Sequence, residues 1–234
     1  MKYLNMANRV QSDNQPEILL TMIDMSGSMY TDDIEPSRKE AAINANKEIF
    51  RVKKQSYPND KIGVISFERT AKLSLIPTYA KDISDLSKVI DDTGLTGGTD
   101  FTAPMKLACS YFIGKTVKSG NSPIKKMLSS IFFEQGDGII TSKNNDNTTK
   151  RIILLTDGEH LGKSNPVNIA NKLKGIGVII DCIGIGGSPK DVDEKLLKQI
   201  ASRNPNGSIR YCFIGDQQKL IKKYSSLAHH IKAI

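Results

Sequence analysis

The chain has 234 residues, 38% hydrophobic and 25% charged, a balance that suits a folded globular protein and excludes a disordered or collagen-like one. Its net charge of +8 comes with only 6% aromatics and with lysines and arginines dispersed along the chain, so the charge reads as a solvated basic surface and argues against a nucleic-acid binder. Cys109, Cys182 and Cys212 are far apart and form no Cys-x-x-Cys pair, which excludes a cysteine zinc site and a disulfide framework.

Each cysteine lies in an apolar neighbourhood, so free, buried thiols and a cytoplasmic location are expected. No apolar run approaches the roughly 20 residues needed to cross a bilayer, and the first residues lack the apolar core of a secretory signal. No membrane association is expected.

Residues 1–15 are polar and read as a flexible tail ahead of a single domain over 16–234. Ile18 to Ile23 form a short apolar run without a polar face, as in a parallel strand buried on both sides. The run ends on Asp24. Ser26 and Ser28 follow, with Gly27 between them to allow a tight turn. One carboxylate and two hydroxyls at the carboxyl end of a strand supply hard oxygen donors where open α/β sheets place their ligands, and favour a cation such as Mg2+. The same serines could equally be turn residues capping the next helix.

Pro36 is expected in the first turn of a helix over about 37–54, whose apolar stripe is Ala41, Ala42, Ala45, Ile49 and Val52. Ile62–Phe67 and Ala71–Pro77 read as strands joined by three residues, Glu68 to Thr70. So short a link requires an antiparallel pair. A short helix over 82–91 follows. Gly97 and Gly98 permit close backbone approach before Thr99, and Thr99 or Asp100 caps a helix over about 101–117.

Residues 119–149 read as a long insertion, loosely packed over 134–149. Arg151–Thr156 is a further strand, again ending on a carboxylate, Asp157. Beyond it come a helix over 167–174, a strand over 177–183, a helix over 191–201, a strand over 209–214 and a closing helix over 217–232. Alternating strands and helices predict one doubly wound α/β domain.

Three segments thus offer oxygen donors at the ends of strands or in the loops that follow: Asp24-x-Ser26-x-Ser28, Thr99 within Gly-Gly-Thr, and Asp157 within Thr-Asp-Gly. Together, and in this order, they resemble the metal-ion-dependent adhesion site of the von Willebrand factor type A domain family, over roughly residues 16–232. The resemblance implies a Rossmann-like, mostly parallel six-stranded sheet with one antiparallel edge strand and helices on both faces. It implies that Ser26 and Ser28 hold the cation directly, that Thr99 does so directly or through water, and that Asp24 and Asp157 hold metal-bound waters. The cation would be Mg2+, or Mn2+ or Ca2+, and a protein partner would supply an Asp or Glu to it. Among single-domain relatives the chain resembles those of tellurium-resistance and related stress or defence systems.

Two features depart from the family pattern: the insertion, and His160 after Glu159 where proline is common. His160 is expected as a solvent-exposed loop residue, with a rim contact or a further ligand as the alternatives, and Glu159 and Asp100 as exposed caps or turn residues rather than ligands. Gly162-Lys163-Ser164 and Gly114-Lys115-Thr116 fail as phosphate loops because the required preceding glycine is Asp157 or Cys109. The expectation is a non-catalytic interaction module. A metal-dependent hydrolase on the same site is the alternative, but no general base accompanies the ligands.

Overall fold

The computed structural model describes residues 15–84, 97–113 and 148–229. Six strands form one sheet: β1 (Glu17–Asp24), β2 (Lys61–Phe67), β3 (Ala71–Tyr79), β4 (Thr149–Thr156), β5 (Val178–Ile185) and β6 (Tyr211–Ile214), in the order β3-β2-β1-β4-β5-β6. All neighbours are parallel except β2 and β3, the antiparallel pair expected from their three-residue link. The helices are α1 (Arg38–Ser56), α2 (Thr102–Ile113), α3 (Pro166–Gly175), α4 (Glu194–Ile200) and α5 (Gln217–Leu227).

The apolar run that opens the sequence becomes the central strand because it is buried from both sides. Leu19 and Ile23 pack into one core with α1 and α5, while Leu20 and Met22 pack into a second with α2, α3 and α4. Each of these four side chains is fully buried, which stabilises the fold by about 1.5–3 kcal/mol per side chain before entropy is charged. From β1 the chain runs to β2 on one side and later returns to β4 on the other. The crevice between the carboxyl ends of β1 and β4 is therefore the switch point of the sheet.

Several boundaries differ from the sequence expectations, each for a local reason. Pro36 precedes α1 rather than sitting in its first turn, because Ser37 is the N-cap and its hydroxyl accepts the Glu40 N–H at 3.1 Å. The helix expected over 191–201 splits. Pro189–Asp191 forms a 3-10 turn, and Asp193 caps a shorter α4 by accepting the Leu196 N–H at 2.9 Å. Gly27 needs no special backbone, since a Cβ there would meet nothing within 4 Å. Cys182 is buried and Cys109 and Cys212 are half-buried, and none of the three is in a disulfide. All but the last residue of the expected tail over 1–15, most of the helix over 82–91 and nearly all of the insertion lie outside the described residues. Thr149, placed at the end of that insertion, opens β4. Among the described residues no helix is long and apolar enough to cross a membrane.

The amino-end half of the sheet buries charge. Lys53 Nζ donates to Glu17 and to Asp60 Oδ2 (2.6 Å), and Arg151 Nε donates to Asp181 Oδ2 (2.7 Å). Arg210 reaches Asp181 Oδ1 at 3.0 Å, and Arg151 also holds the Leu227 carbonyl at the end of α5 at 2.7 Å.

Candidate metal centre

At the opposite end of the sheet, Asp24 is the last residue of β1 and is fully buried. Its Oδ1 accepts the Ser26 N–H at 2.9 Å and its Oδ2 accepts the Thr156 hydroxyl at 2.6 Å. These bonds fix the carboxylate as the chain turns into a 3-10 segment over Gly27–Tyr30. Ser26 Oγ lies 3.2 Å from Ser28 Oγ, and Ser28 Oγ donates to Asp157 Oδ1 at 2.8 Å. Since Ser28 gives its one proton to Asp157, Ser26 donates to Ser28. Both serine oxygens keep lone pairs for a cation.

Thr99 arrives from the loop before α2, buried to 3% exposure. A Cβ on Gly158 would lie 3.0 Å from Thr99 Oγ1 and 3.9 Å from Asp24 Oδ2, so these two oxygens flank a space only glycine leaves open. Gly97 and Gly98 approach the side chains of Glu68 and Leu161 rather than the oxygen donors themselves. Cβ atoms there would lie 2.3 Å from Glu68 Oε2 and 2.8 Å from Leu161 Cδ1. The Gly97 N–H donates to Glu68 Oε2 at 2.6 Å, and the Leu161 N–H donates to the Thr99 carbonyl at 2.8 Å. Asp24, Ser26, Ser28, Thr99 and Asp157 thus meet in one place, four of them buried and Ser28 facing solvent.

Asp100 caps α2, accepting the Thr102 N–H at 2.7 Å, and Glu159 is exposed. His160 corrects the expectation of a solvent-exposed residue, for its side chain is only 9% exposed. Its Nδ1 accepts the Phe101 N–H at 3.1 Å, which fixes the neutral tautomer with Nε2 donating to the Ser164 carbonyl at 2.8 Å. The ring stacks on Phe101, with centroids 5.4 Å apart. His160 therefore ties the loop after β4 to the loop that carries Thr99.

Sequence reasoning missed Thr156 and Arg38. Thr156 faces Asp24 because β4 lies beside β1. Arg38 opens α1, and its Nη1 donates to Asp157 Oδ2 at 3.0 Å while Nε donates to Asp33 Oδ1 at 2.8 Å and Nη2 to Asp191 Oδ2 at 3.0 Å. An arginine at a helix start reads as an ordinary surface residue, and only the folded chain brings Asp157 and Asp191 to it.

Burial pushes the Asp24 carboxyl up to about 6, opposed by the hydrogen bonds from Thr156 and Ser26 and reinforced by the nearby Asp157 charge. Asp157 is also raised by burial, which outweighs the hydrogen bonds from Ser28 and Arg38. Among the described residues no lysine, arginine or histidine pairs with Asp24, and no three His, Cys, Asp or Glu side chains gather as a metal cluster. The donor set is instead hydroxyl-rich with two carboxylates, all hard oxygen. A buried carboxylate without a countercharge, beside hydroxyls with free lone pairs, fits a small divalent cation.

The doubly wound sheet and oxygen-lined switch point define a Rossmann-like α/β domain with a candidate cation site. The sequence profile of the von Willebrand factor type A domain matches residues 19–160, and the chain belongs to that family. It is similar to a UPF0353 protein of Mycobacterium tuberculosis, 26% identical over 92% of this chain, and spans 60% of that relative's length. Its fold is similar to a von Willebrand factor type A structure from Catenulispora acidiphila (TM-score 0.61, 18% identity, 92% of this chain and 42% of that one). It is also similar to proximal thread matrix protein 1 from the mussel byssus, solved with zinc in its metal-ion-dependent adhesion site (TM-score 0.53, 21% identity, 92% of this chain and 48% of that one).

Proposed function

We propose that this domain is a metal-dependent protein-interaction module in which Ser26, Ser28 and Thr99 hold a divalent cation, Asp24 and Asp157 anchor its waters, and a partner's Asp or Glu completes the shell. The observation that carries this reading is the buried Asp24 carboxylate, without a basic partner among the described residues, beside three convergent hydroxyl oxygens. Bound there, a cation supplies a fixed positive charge that neutral hydroxyls do not cancel, and so attracts an anionic ligand. The zinc-occupied site of the mussel protein supports a divalent cation, with Mg2+ the favoured ion and Mn2+ or Ca2+ the alternatives.

The rim suits a macromolecule. Ser28 is exposed, and Leu161, whose N–H donates to the Thr99 carbonyl, is 69% exposed. We place the module in the cytoplasm, in keeping with three cysteines outside any disulfide, and in a stress-resistance or defence assembly. The reading is of a binding site and not a catalytic one: His160, the nearest imidazole in sequence, has both ring nitrogens engaged by backbone.

The test is a pull-down with Mg2+, with chelator and with Asp24→Ala, alongside titration calorimetry of Mg2+ and Mn2+. Partner capture should be lost in the last two conditions, with circular dichroism unchanged. Equal capture in all three would sink the proposal.

A further inference from the structure

Arg38 is an unusual residue to find against a candidate cation site. Its side chain is 9% exposed, and it opens a 19-residue helix whose positive end disfavours a cation. It is held there by carboxylates from three separate segments: Asp33 from the loop after β1, Asp157 from the end of β4 and Asp191 from the turn after β5. Two of these are fixed further by backbone. Asp33 Oδ2 accepts the Gly187 N–H at 2.7 Å, and Asp191 Oδ2 accepts the Ser188 N–H at 3.1 Å. The guanidinium fork is thus set in place before it reaches Asp157.

The consequence falls on Asp157. Its Oδ2 takes the Arg38 Nη1–H and its Oδ1 takes the Ser28 hydroxyl proton, so both oxygens are committed to hydrogen bonds. A carboxylate held on both oxygens keeps lone pairs for a metal-bound water but cannot turn an oxygen onto the cation without giving up one of these bonds. We propose that Arg38 is a positioning residue that keeps Asp157 out of direct coordination, leaving one coordination position for a partner's carboxylate. This rests on the cation reading above. The fixed positive charge of Arg38 acts in the same direction, weakening the hold on the cation while favouring an incoming anion. A lysine would not replace it. Its single ammonium cannot present the planar fork that spans Asp33 and Asp157 at once.

The experiment uses Mn2+ alone as the probe, with the full chain, its Arg38→Gln and its Arg38→Lys. Free Mn2+ is measured by electron paramagnetic resonance, and exchangeable water on bound Mn2+ by water-proton relaxation. In Arg38→Gln, Asp157 should turn onto the ion. Affinity should then rise roughly tenfold, the scale on which groups behind the direct ligands act, and the relaxivity of bound Mn2+ should fall as one water is displaced. Arg38→Lys should lie between Gln and wild type, and decides the matter if Arg38→Gln does not fold by circular dichroism. Unchanged relaxivity in the folded variants would overturn the proposal. So would weaker binding at unchanged relaxivity, which would make Arg38 a builder of the site and nothing more. Absence of Mn2+ binding by the wild-type chain would overturn the cation reading as well.

Discussion

The two ends of this sheet bury charge in opposite ways. At the amino end, Glu17, Asp60 and Asp181 meet Lys53, Arg151 and Arg210, three acids against three bases. At the carboxyl end, among the described residues, Arg38 meets buried Asp157 and the part-exposed Asp33 and Asp191, while buried Asp24 meets no base. A buried charge without a partner costs several kcal/mol in a low-dielectric interior. The amino end has met that cost within the chain, and the carboxyl end leaves a deficit that something from outside can fill. The same architecture thus carries a closed electrostatic region and an open one.

The sharpest way to break this comparison is to unbalance the closed end. Lys53→Ala strips the cation shared by two buried carboxylates and should destabilise the protein by about 3–5 kcal/mol. Urea denaturation would measure it, and a loss below about 1 kcal/mol would show that water replaces the lysine and that the end is not closed.

The same kind of change at the open end should behave differently. Asp24→Asn keeps an acceptor for the Ser26 N–H while removing a carboxylate whose burial holds it up at about 6. Stability without metal should stay within about 1 kcal/mol of wild type, because a cost of burial goes with the charge. Saturating Mg2+, however, should no longer raise the melting temperature, whereas in wild type an excess of one hundred times Kd should add about 2.7 kcal/mol. A large loss of stability without metal would mean that Asp24 is already satisfied by its hydrogen bonds and that no deficit exists.

A smaller effect is expected from Gly158→Ala. The added methyl would meet Thr99 Oγ1 at 3.0 Å and must push it a few tenths of an ångström out of place. Mn2+ affinity should fall several-fold while stability changes by less than about 1 kcal/mol. An unchanged affinity would remove Thr99 from the ligand set.

These residues differ in how far the sequence announced them. The central strand and the antiparallel β2–β3 pair were legible because each depends on local pattern: an apolar run and a link too short for a crossover. The five oxygen-bearing residues were singled out as a set by the resemblance of their three segments to a known site. Arg38, Thr156 and the amino-end network were not, because their partners are remote in sequence. Arg38 meets Asp191 across 153 positions, and Arg151 meets the Leu227 carbonyl across 76. His160 failed for a related reason. A polar loop residue reads as exposed until the loop before α2 supplies the Phe101 N–H that holds it. Where charge balance is set by the meeting of distant segments, the difference between a closed end and an open one is visible only in three dimensions.

The smallest predicted effect probes whether the Arg38 cluster belongs to the open end or is itself a closed pocket. The Asp33 carboxyl is held below its ordinary 3.8, chiefly by its hydrogen bond from Arg38, and its side chain is 28% exposed. A carboxylate depressed on folding contributes stability that is fully present above its unfolded value and is lost as pH falls through the lower folded one. Asp33→Asn should therefore be less stable than wild type near neutral pH, by no more than about 1 kcal/mol given its partial exposure. The gap should close in acid, well below 3.8, where the wild-type carboxyl is protonated and no longer differs in charge from the amide. Other carboxylates titrate in the same range, but they are common to both proteins and cancel to first order in the difference. Urea midpoints of the two proteins at neutral and acid pH give the answer. A gap that persisted unchanged into acid would mean that Asp33 acts through packing or backbone hydrogen bonding alone. The guanidinium would then owe its place to Asp157 and Asp191, and the cluster would be a part of the metal end rather than a clamp set before it.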